Sequence, residues 1–518
     1  MNEKQPFLKG AIILSIAGVV SRVLGGIYRI PLARLIGDEG MALYQMAYPI
    51  YTTILALATA GIPVAISVLV ARMETQGYTG DSRRILKISL IMLAFLGMLF
   101  TLLVIQTAHF LANTVLDESR AYYPILAVAP AIFFACLMSV FRGYFQGYQL
   151  MTPTAISQIA EQLVRVIALV VLAFMLFPKG LEYAVAGATS GAIIGGVAGL
   201  LVLSFYYVRF RRETTVEKSS LVYSGKSISG LAKEVLEFAV PVSLGACVLP
   251  LVQILDAIIV RKQLEAIAYS NIEATVLFGQ LSGKAVVLVG LSTIFTIAIA
   301  TSLVPAISEA FASKNSTLLK TRINSGYLAG AIVSFPCTAG LYILAFPICG
   351  LLYGTPEAGI SLQPLAFSCI TLAAFQISAA ALQGVGRPEV AMYSLLITGF
   401  LKVVFNYTLT AIPALNIRGA AIGTVIAFLI GALINICVLK VNTGIVFERI
   451  RILRIALATL IMAAAVKVSY QLLLGYDIHS YIVTVLAIVI GISIYVIQLL
   501  ILREIDFDML NIKLFNKR

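Results

Sequence analysis

Seven lysine and arginine side chains lie inside long apolar runs of the sequence, where a positive charge needs a carboxylate partner or a water-filled cavity. They are Arg22, Arg29, Arg142, Arg165, Lys284, Lys402 and Lys467. Arg22 and Arg29 are two helical turns apart, so they would share one helical face, about 10 Å apart along the axis. Guanidinium groups bind phosphate oxygens through paired hydrogen bonds. The spacing therefore predicts an anion site, and the alternative is that both side chains extend to the end of the apolar run.

Acidic residues are fewer in the same runs, where only Glu161, Asp256 and Glu309 occur. Glu161 precedes Arg165 by four residues, which predicts an ion pair along one helix. For Arg165, structural pairing and anion binding both stay open. Asp256 would either neutralise a basic residue or bind a coupling cation. The net charge of these runs is positive, which favours an anionic cargo over a cationic one.

The composition places these residues in a membrane protein. The chain has 518 residues, of which 60% are hydrophobic and 12% charged, and its mean hydropathy is +0.99. Soluble domains are about 25% charged. A soluble enzyme, a disordered chain, a coiled coil and a secreted disulfide scaffold are therefore excluded. The six cysteines form no CxxC pair and lie in apolar stretches, so we interpret them as small hydrophobic residues.

The apolar runs predict an all-α protein, because they are continuous rather than alternating and each exceeds the roughly 20 residues that cross a bilayer. We expect fourteen spans. They cover about 11–33, 41–71, 85–112, 122–149, 152–177, 182–207, 231–260, 274–311, 322–350, 358–383, 388–412, 417–440, 452–473 and 480–502.

Lysines and arginines concentrate in alternate loops, which predicts cytoplasmic amino and carboxyl termini. The net charge of +13 mostly reflects this topology and does not indicate nucleic-acid binding. We expect a first lobe of six spans at 1–212, a cytoplasmic linker at 213–230, a second lobe of six spans at 231–440, and two further helices with a cytoplasmic tail at 441–518. No loop is long enough for a catalytic domain, so we do not expect an enzyme.

The two predicted lobes resemble each other in sequence. Phe141–Gly147 corresponds to Ala380–Gly384, and Pro63–Ser67 corresponds to Pro305–Ser308. At the same offset, Arg165 aligns with Lys402. Two repeats of equal topology predict a pseudo-twofold axis along the membrane normal and a binding site near the midplane.

Several motifs together resemble one known family. They are Ser21-Arg22-Val23-Leu24-Gly25, Ala33-Arg34-Leu35-Ile36-Gly37, the segment from Gly40 to Pro49, and Ser302-Leu303-Val304-Pro305-Ala306-Ile307-Ser308. The chain resembles, over nearly its whole length, the MurJ and SpoVB-like branch of the multidrug/oligosaccharidyl-lipid/polysaccharide flippase superfamily. The resemblance implies two six-helix lobes plus two carboxyl-terminal helices that form a groove for a polyprenyl tail.

The resemblance also implies a function in cell-wall synthesis or sporulation: transfer of lipid II, the undecaprenyl-pyrophosphate-linked peptidoglycan precursor, from the inner to the outer leaflet. Arg22 matches a family arginine directly, whereas Arg29 is shifted by one position and Lys284 aligns only approximately. Arg34, Arg142, Arg165 and Lys402 are further candidates for substrate binding. The family's acidic residue after the first span has no match, because Leu43 occupies its place.

Some relatives bind sodium in the second lobe, and Asp256, Asn406, Thr410 and Thr424 would be the matching residues here. No cofactor is expected; coupling to the membrane potential, to protons or to Na⁺ stays open. The expected partners are an anionic lipid-linked glycan, membrane lipids and cell-wall synthesis proteins, at a bacterial plasma membrane. Three alternatives stay open: a flippase for another polyprenyl-linked glycan, a cation-coupled drug exporter of the same superfamily, and a membrane glycosyltransferase.

Overall fold

The computed structural model describes residues 7–213, 222–476, 479–502 and 504, and this part of the chain is helical and contains no strand. The predicted all-α membrane architecture is confirmed. The chain divides into two compact units, residues 1–261 and 262–518. Part of the predicted linker (214–221) and most of the tail (505–518) lie outside the described residues, as do both termini whose cytoplasmic placement was predicted. The predicted lobe boundaries stay a prediction.

The first unit is built from long apolar helices that are interrupted by short breaks. Its helices are α1 (Phe7–Ile27), α2 (Arg29–Thr59), α3 (Ile62–Thr75), α4 (Thr79–Phe110), α5 (Tyr122–Val128), α6 (Ala131–Gly147), α7 (Met151–Leu176), α8 (Leu181–Glu213), α9 (Ile228–Ala246) and α10 (Val248–Ala266). The last of these continues into the second unit after Arg261. The predicted span ended at residue 260, which placed Arg261 in a loop, but Arg261 lies inside this helix.

The second unit contains α11 (Asn271–Phe278), α12 (Val286–Ala312), α13 (Ser316–Ile343), α14 (Ala345–Tyr353), α15 (Gly359–Leu365), α16 (Ser368–Gly384), α17 (Pro388–Thr410), α18 (Ile417–Thr443), α19 (Arg449–Leu474) and α20 (Ser480–Ile501). A π-helical segment, Gly279–Ala285, joins α11 to α12. Such widened turns are frequent at functional positions in helices.

The described residues provide twelve apolar stretches long enough to cross a membrane, or thirteen if the bent pair Pro356–Leu365 and Ser368–Gly384 forms one span. The predicted count of fourteen is not confirmed. The difference lies near the amino terminus, where two spans were expected at 11–33 and 41–71. There, α1, α2 and α3 follow each other with breaks of one or two residues, so the apolar stretch from Ile16 to Thr75 is continuous.

Glycines allow equivalent helices to pack closely within each unit. In the first unit a Cβ on Gly143 of α6 would lie 2.8 Å from the Pro63 backbone of α3. In the second unit a Cβ on Gly384 of α16 would lie 2.7 Å from Ile307 of α12. These are the segments that the sequence repeat aligned. The repeated motifs therefore perform the same packing role in both units.

Candidate functional site

A cavity of about 510 Å³ lies in the first unit, surrounded by α1, α2, α3, α6 and α7. Its lining is unusually polar for an apolar protein. The lining residues are Gly18, Ser21, Arg22, Tyr48, Tyr51, Leu55, Thr59, Ala60, Pro63, Ala135, Met138, Ser139, Arg142, Gln158, Glu161, Gln162 and Arg165. Three of these carry a positive charge and one a negative charge, so the cavity is cationic.

Glu161 lies between two of the cavity arginines. One of its carboxylate oxygens accepts a 2.8 Å hydrogen bond from Arg142 of α6, and the other lies 3.6 Å from Arg165 of its own helix α7. Arg142 is held a second time, because its Nε donates to the Ser157 hydroxyl at 3.2 Å. The ion pair predicted from the i, i+4 spacing of Glu161 and Arg165 is confirmed. Arg142 is thus held between α6 and α7, with 18% of its side chain exposed.

Arg165 is less completely satisfied than Arg142. It donates a long hydrogen bond of 3.4 Å to the Tyr51 hydroxyl, and its Nε has no hydrogen-bond partner in the described part of the chain. The residue is only 8% exposed. The Gln158 side-chain oxygen, also buried in the lining, is likewise without a partner among the described residues. Buried polar groups are normally paired, so these atoms mark a position suited to a polar ligand.

Helix α8 closes the cavity wall from behind. A Cβ on Gly195 would lie 2.7 Å from the Glu161 carbonyl oxygen and 2.8 Å from the Arg165 Cβ. Glycine at position 195 thus allows α8 to pack closely against α7 at the level of both residues. Glu161 and Arg165 both line the cavity on this helix.

Arg22 reaches the cavity from the end of α1. Its side chain is exposed, and it forms no ion pair with any described residue. A cavity-lining arginine without a carboxylate is available to bind an anion.

Arg29 lies in different surroundings from Arg22, although we expected both on one helical face. Helix α1 ends at Ile27, and Arg29 begins α2, so the pair belongs to consecutive helices. Arg29 is hydrogen-bonded to Tyr28 and lies near Tyr44 and Tyr48. The Tyr28 and Tyr44 hydroxyls are 2.9 Å apart. Arg29 is not among the cavity-lining residues, and its role in substrate binding stays a prediction.

The other predicted basic residues lie apart from the lining of this cavity. Lys284 belongs to the π-helical segment of the second unit, is fully buried, hydrogen-bonds to the Thr355 hydroxyl and lies 5.6 Å from the centre of the Tyr353 ring. Arg34 is exposed on α2, and Lys402 is partly exposed on α17. Substrate binding by these three residues stays a prediction.

The predicted sodium ligands come from both units. Asp256 lies on α10 in the first unit, whereas Asn406, Thr410 and Thr424 lie on α17 and α18 in the second. Asn406 and Thr410 are buried where α17 faces the glycines of α18, and the Thr424 hydroxyl donates to the Ala420 carbonyl at 3.0 Å. The sodium site stays a prediction.

A second charged cluster joins α2 and α10 to the segment between α4 and α5. Arg120 pairs with Glu39 and, at 2.8 Å, with Glu118. Arg261 is 2% exposed and donates to the Leu116 carbonyl at 2.6 Å and the Asp117 carbonyl at 3.3 Å. Burial opposes ionisation of Glu118, but the hydrogen bonds from Arg120 outweigh it and hold the pKa of Glu118 below its usual value. The ion pairs of Arg120 and the bonds from Arg261 to two loop carbonyls connect these segments, which indicates a structural role.

Reasoning from the sequence missed the uncharged part of the cavity wall. Tyr48, Tyr51, Leu55 and Thr59 form one face of α2, at spacings of three and four residues. That periodicity could have been recognised, because it places hydroxyl groups in register within an apolar helix. Gln158 and Gln162 of α7 follow the same helical spacing toward Glu161 and Arg165.

Comparison with known proteins places these features in one family. The family model described as "Polysaccharide biosynthesis protein" matches residues 7–311, which include the whole cavity lining. The chain belongs to this family. A second model, described as "MatE", matches residues 281–408.

Full-length relatives of this polysaccharide biosynthesis family confirm the resemblance inferred from the motifs. The chain is 30% identical to "Stage V sporulation protein B" of Bacillus subtilis (strain 168), covering 98% of this chain and 97% of that protein. It is also 30% identical to "Lipid II flippase MurJ" of the same organism, covering 94% of each. The solved structure "Lipid II flippase MurJ, inward closed conformation" superimposes with a TM-score of 0.71 at 17% identity, covering 95% of this chain and 99% of that one.

Proposed function

We propose that this protein is a flippase that moves a polyprenyl-pyrophosphate-linked glycan across the membrane, with lipid II as its cargo. The observation that carries the proposal is the cationic cavity, in which Arg22, Arg142 and Arg165 face a single carboxylate, Glu161. Two curated relatives named for sporulation and for lipid II transfer support the same conclusion.

The cavity chemistry suits a diphosphate. Guanidinium groups present parallel N–H donors that match phosphate oxygens, and their charge persists at every physiological pH. A water-filled cavity is needed because the charged headgroup cannot enter hydrocarbon, whereas the polyprenyl tail can remain in lipid. The glutamine, serine and tyrosine side chains of the lining provide hydrogen bonds for the glycan hydroxyls.

Binding of the anionic headgroup would drive the transport cycle by changing the net charge of the cavity. An anion relieves the mutual repulsion of the cavity arginines and so favours closure around the headgroup. The membrane potential would return the empty cationic cavity inward, with about 2.3 kcal/mol for each full charge that crosses 100 mV. Coupling to protons or Na⁺ is the alternative. No covalent bond changes, so the proposed activity is transport.

The proposed setting is a bacterial plasma membrane with both termini in the cytoplasm, where cell-wall synthesis proteins supply the cargo and consume it after transfer. A flippase for another polyprenyl-linked glycan is the second candidate, and the family description as a polysaccharide biosynthesis protein favours it. A drug exporter is disfavoured, because a cationic cavity repels cationic drugs.

The decisive experiment is a leaflet-transfer assay in liposomes that contain the purified full-length protein. Fluorescent lipid II should become accessible to an external reagent faster than in liposomes without protein, and unlabelled lipid II should compete. Equal competition by a polyprenyl-phosphate sugar that lacks the diphosphate would contradict the diphosphate assignment. No transfer of any polyprenyl-linked glycan would contradict the proposed function.

A further inference from the structure

Among the described residues, Glu161 is the one acidic residue that lines the cavity, and its two oxygens are not equally engaged. The contact with Arg142 is a short hydrogen bond of 2.8 Å, whereas the distance to Arg165 is 3.6 Å, beyond hydrogen-bond length. The same carboxylate thus binds one arginine firmly and only balances the charge of the other.

Arg142 already uses two of its three guanidinium nitrogens. Its Nε donates to Ser157 and its Nη2 to Glu161, and Ser157 is fixed in turn by donation to the Thr154 carbonyl at 2.8 Å. Arg165 has the opposite character, because its Nε has no partner in the described ranges and its bond to Tyr51 is long. An incoming phosphate oxygen would gain more from Arg165 than from Arg142.

We propose that Glu161 is an internal competitor for the cargo: it neutralises Arg165 in the empty cavity, and a phosphate oxygen of the bound diphosphate displaces it from Arg165. Glu161 remains hydrogen-bonded to Arg142 both before and after this exchange. Arg22 and Arg165 are then the two arginines that hold the diphosphate, and Arg142 is a positioning residue for Glu161. This inference rests on the proposed function and assigns distinct roles to residues of the same site.

The packing behind the cavity supports this exchange. Gly195 and Gly199 of α8 lie so close to α7 that a Cβ on Gly195 would come within 2.8 Å of the Arg165 Cβ, and one on Gly199 within 3.3 Å of the Glu161 Cβ. The interface between α7 and α8 is therefore tightly packed at both residues. The carboxylate is already bonded to Arg142 at 2.8 Å, so it can leave Arg165 without losing its firm partner. A competitor that stays nearby also promotes release, because it re-binds Arg165 when the phosphate departs.

The test is a binding titration with inorganic pyrophosphate, performed by calorimetry on the purified full-length protein at constant pH. Glu161→Gln keeps the shape and removes the charge, so it should bind pyrophosphate about tenfold more tightly than the unmodified protein. Arg165→Gln should weaken binding by at least about tenfold. The matched control is Glu237→Gln, because Glu237 lies 3.7 Å from Lys233 at the same i, i+4 spacing but on an exposed helix face. Its affinity should not change.

Glu161→Asp covers the case in which Glu161→Gln does not fold. The shorter side chain cannot reach both arginines, so this variant should also bind pyrophosphate more tightly, by about threefold or more. Unchanged or weaker binding by the folded Glu161 variants would overturn the competitor role. If the unmodified protein itself failed to bind pyrophosphate, the proposed function would fail instead, so the two outcomes are distinct.

Discussion

Arg142 and Glu161 connect α6 to α7 through a 2.8 Å ion pair inside the first unit. Both side chains are mostly buried, with 18% and 12% of their surface exposed. A buried pair of this kind fixes the relative position of two helices, and loss of either partner leaves a charge without its counter-ion.

This pairing predicts strong coupling between the two residues. Arg142→Gln and Glu161→Gln should each lower the thermal midpoint of the detergent-solubilised protein, and the double variant should be more stable than the sum of the two effects predicts. The coupling free energy should be about 1–3 kcal/mol. Additive effects would show that the pair contributes nothing to stability.

A second prediction concerns Arg22, which lines the cavity without a carboxylate partner among the described residues. Arg22→Ala should abolish complementation of a flippase-depleted cell while protein levels are maintained. Arg22→Lys should restore growth only partly, because lysine keeps the charge but not the paired donors. The control is Arg209→Ala, which removes an exposed arginine that pairs with Glu213 at the end of α8. Full growth with Arg22→Ala would refute the role of Arg22.

A third prediction tests the close glycine contacts found between helices within each unit. Gly143→Ala and Gly384→Ala each insert a methyl group into a helix interface, at 2.8 Å from Pro63 and 2.7 Å from Ile307. Each should destabilise the protein by about 1–3 kcal/mol. Gly25→Ala is the control, since a Cβ at this position would meet nothing within 4 Å and alanine favours helix. Equal thermal midpoints for all three variants would contradict the packing role.

A fourth prediction uses the lowered pKa of Glu118. Because this carboxyl has a lower pKa in the folded protein than its usual value near 4.5, its stabilising effect is complete above that value and is lost as the pH falls through the folded pKa. The thermal midpoint should therefore fall with acidification below about pH 4.5. Glu118→Gln should be less stable at neutral pH and show a smaller decrease in acid. An identical pH profile for both proteins would exclude this contribution.

Much of the helical architecture could be predicted from hydrophobic runs alone, because each membrane helix must satisfy its backbone internally. The i, i+4 spacing was sufficient to predict the ion pair of Glu161 and Arg165. The partner of Arg142 could not be predicted, because it comes from another helix and depends on how α6 and α7 pack. The surroundings of Lys284 could not be predicted either. Its burial beside Thr355 and Tyr353 follows from a π-helical turn that has no distinct residue pattern.

The position of the cavity in the chain has a consequence for biosynthesis. Every residue of its lining lies between Gly18 and Arg165, so the arginines enter the membrane before the second unit has been synthesised. Each arginine raises the insertion free energy of its helix by about 2.5–3.5 kcal/mol. Glu161 can offset this for Arg165 within α7, and for Arg142 once α7 packs against α6. The nascent first unit thus contains a counter-ion for two of its three cavity arginines.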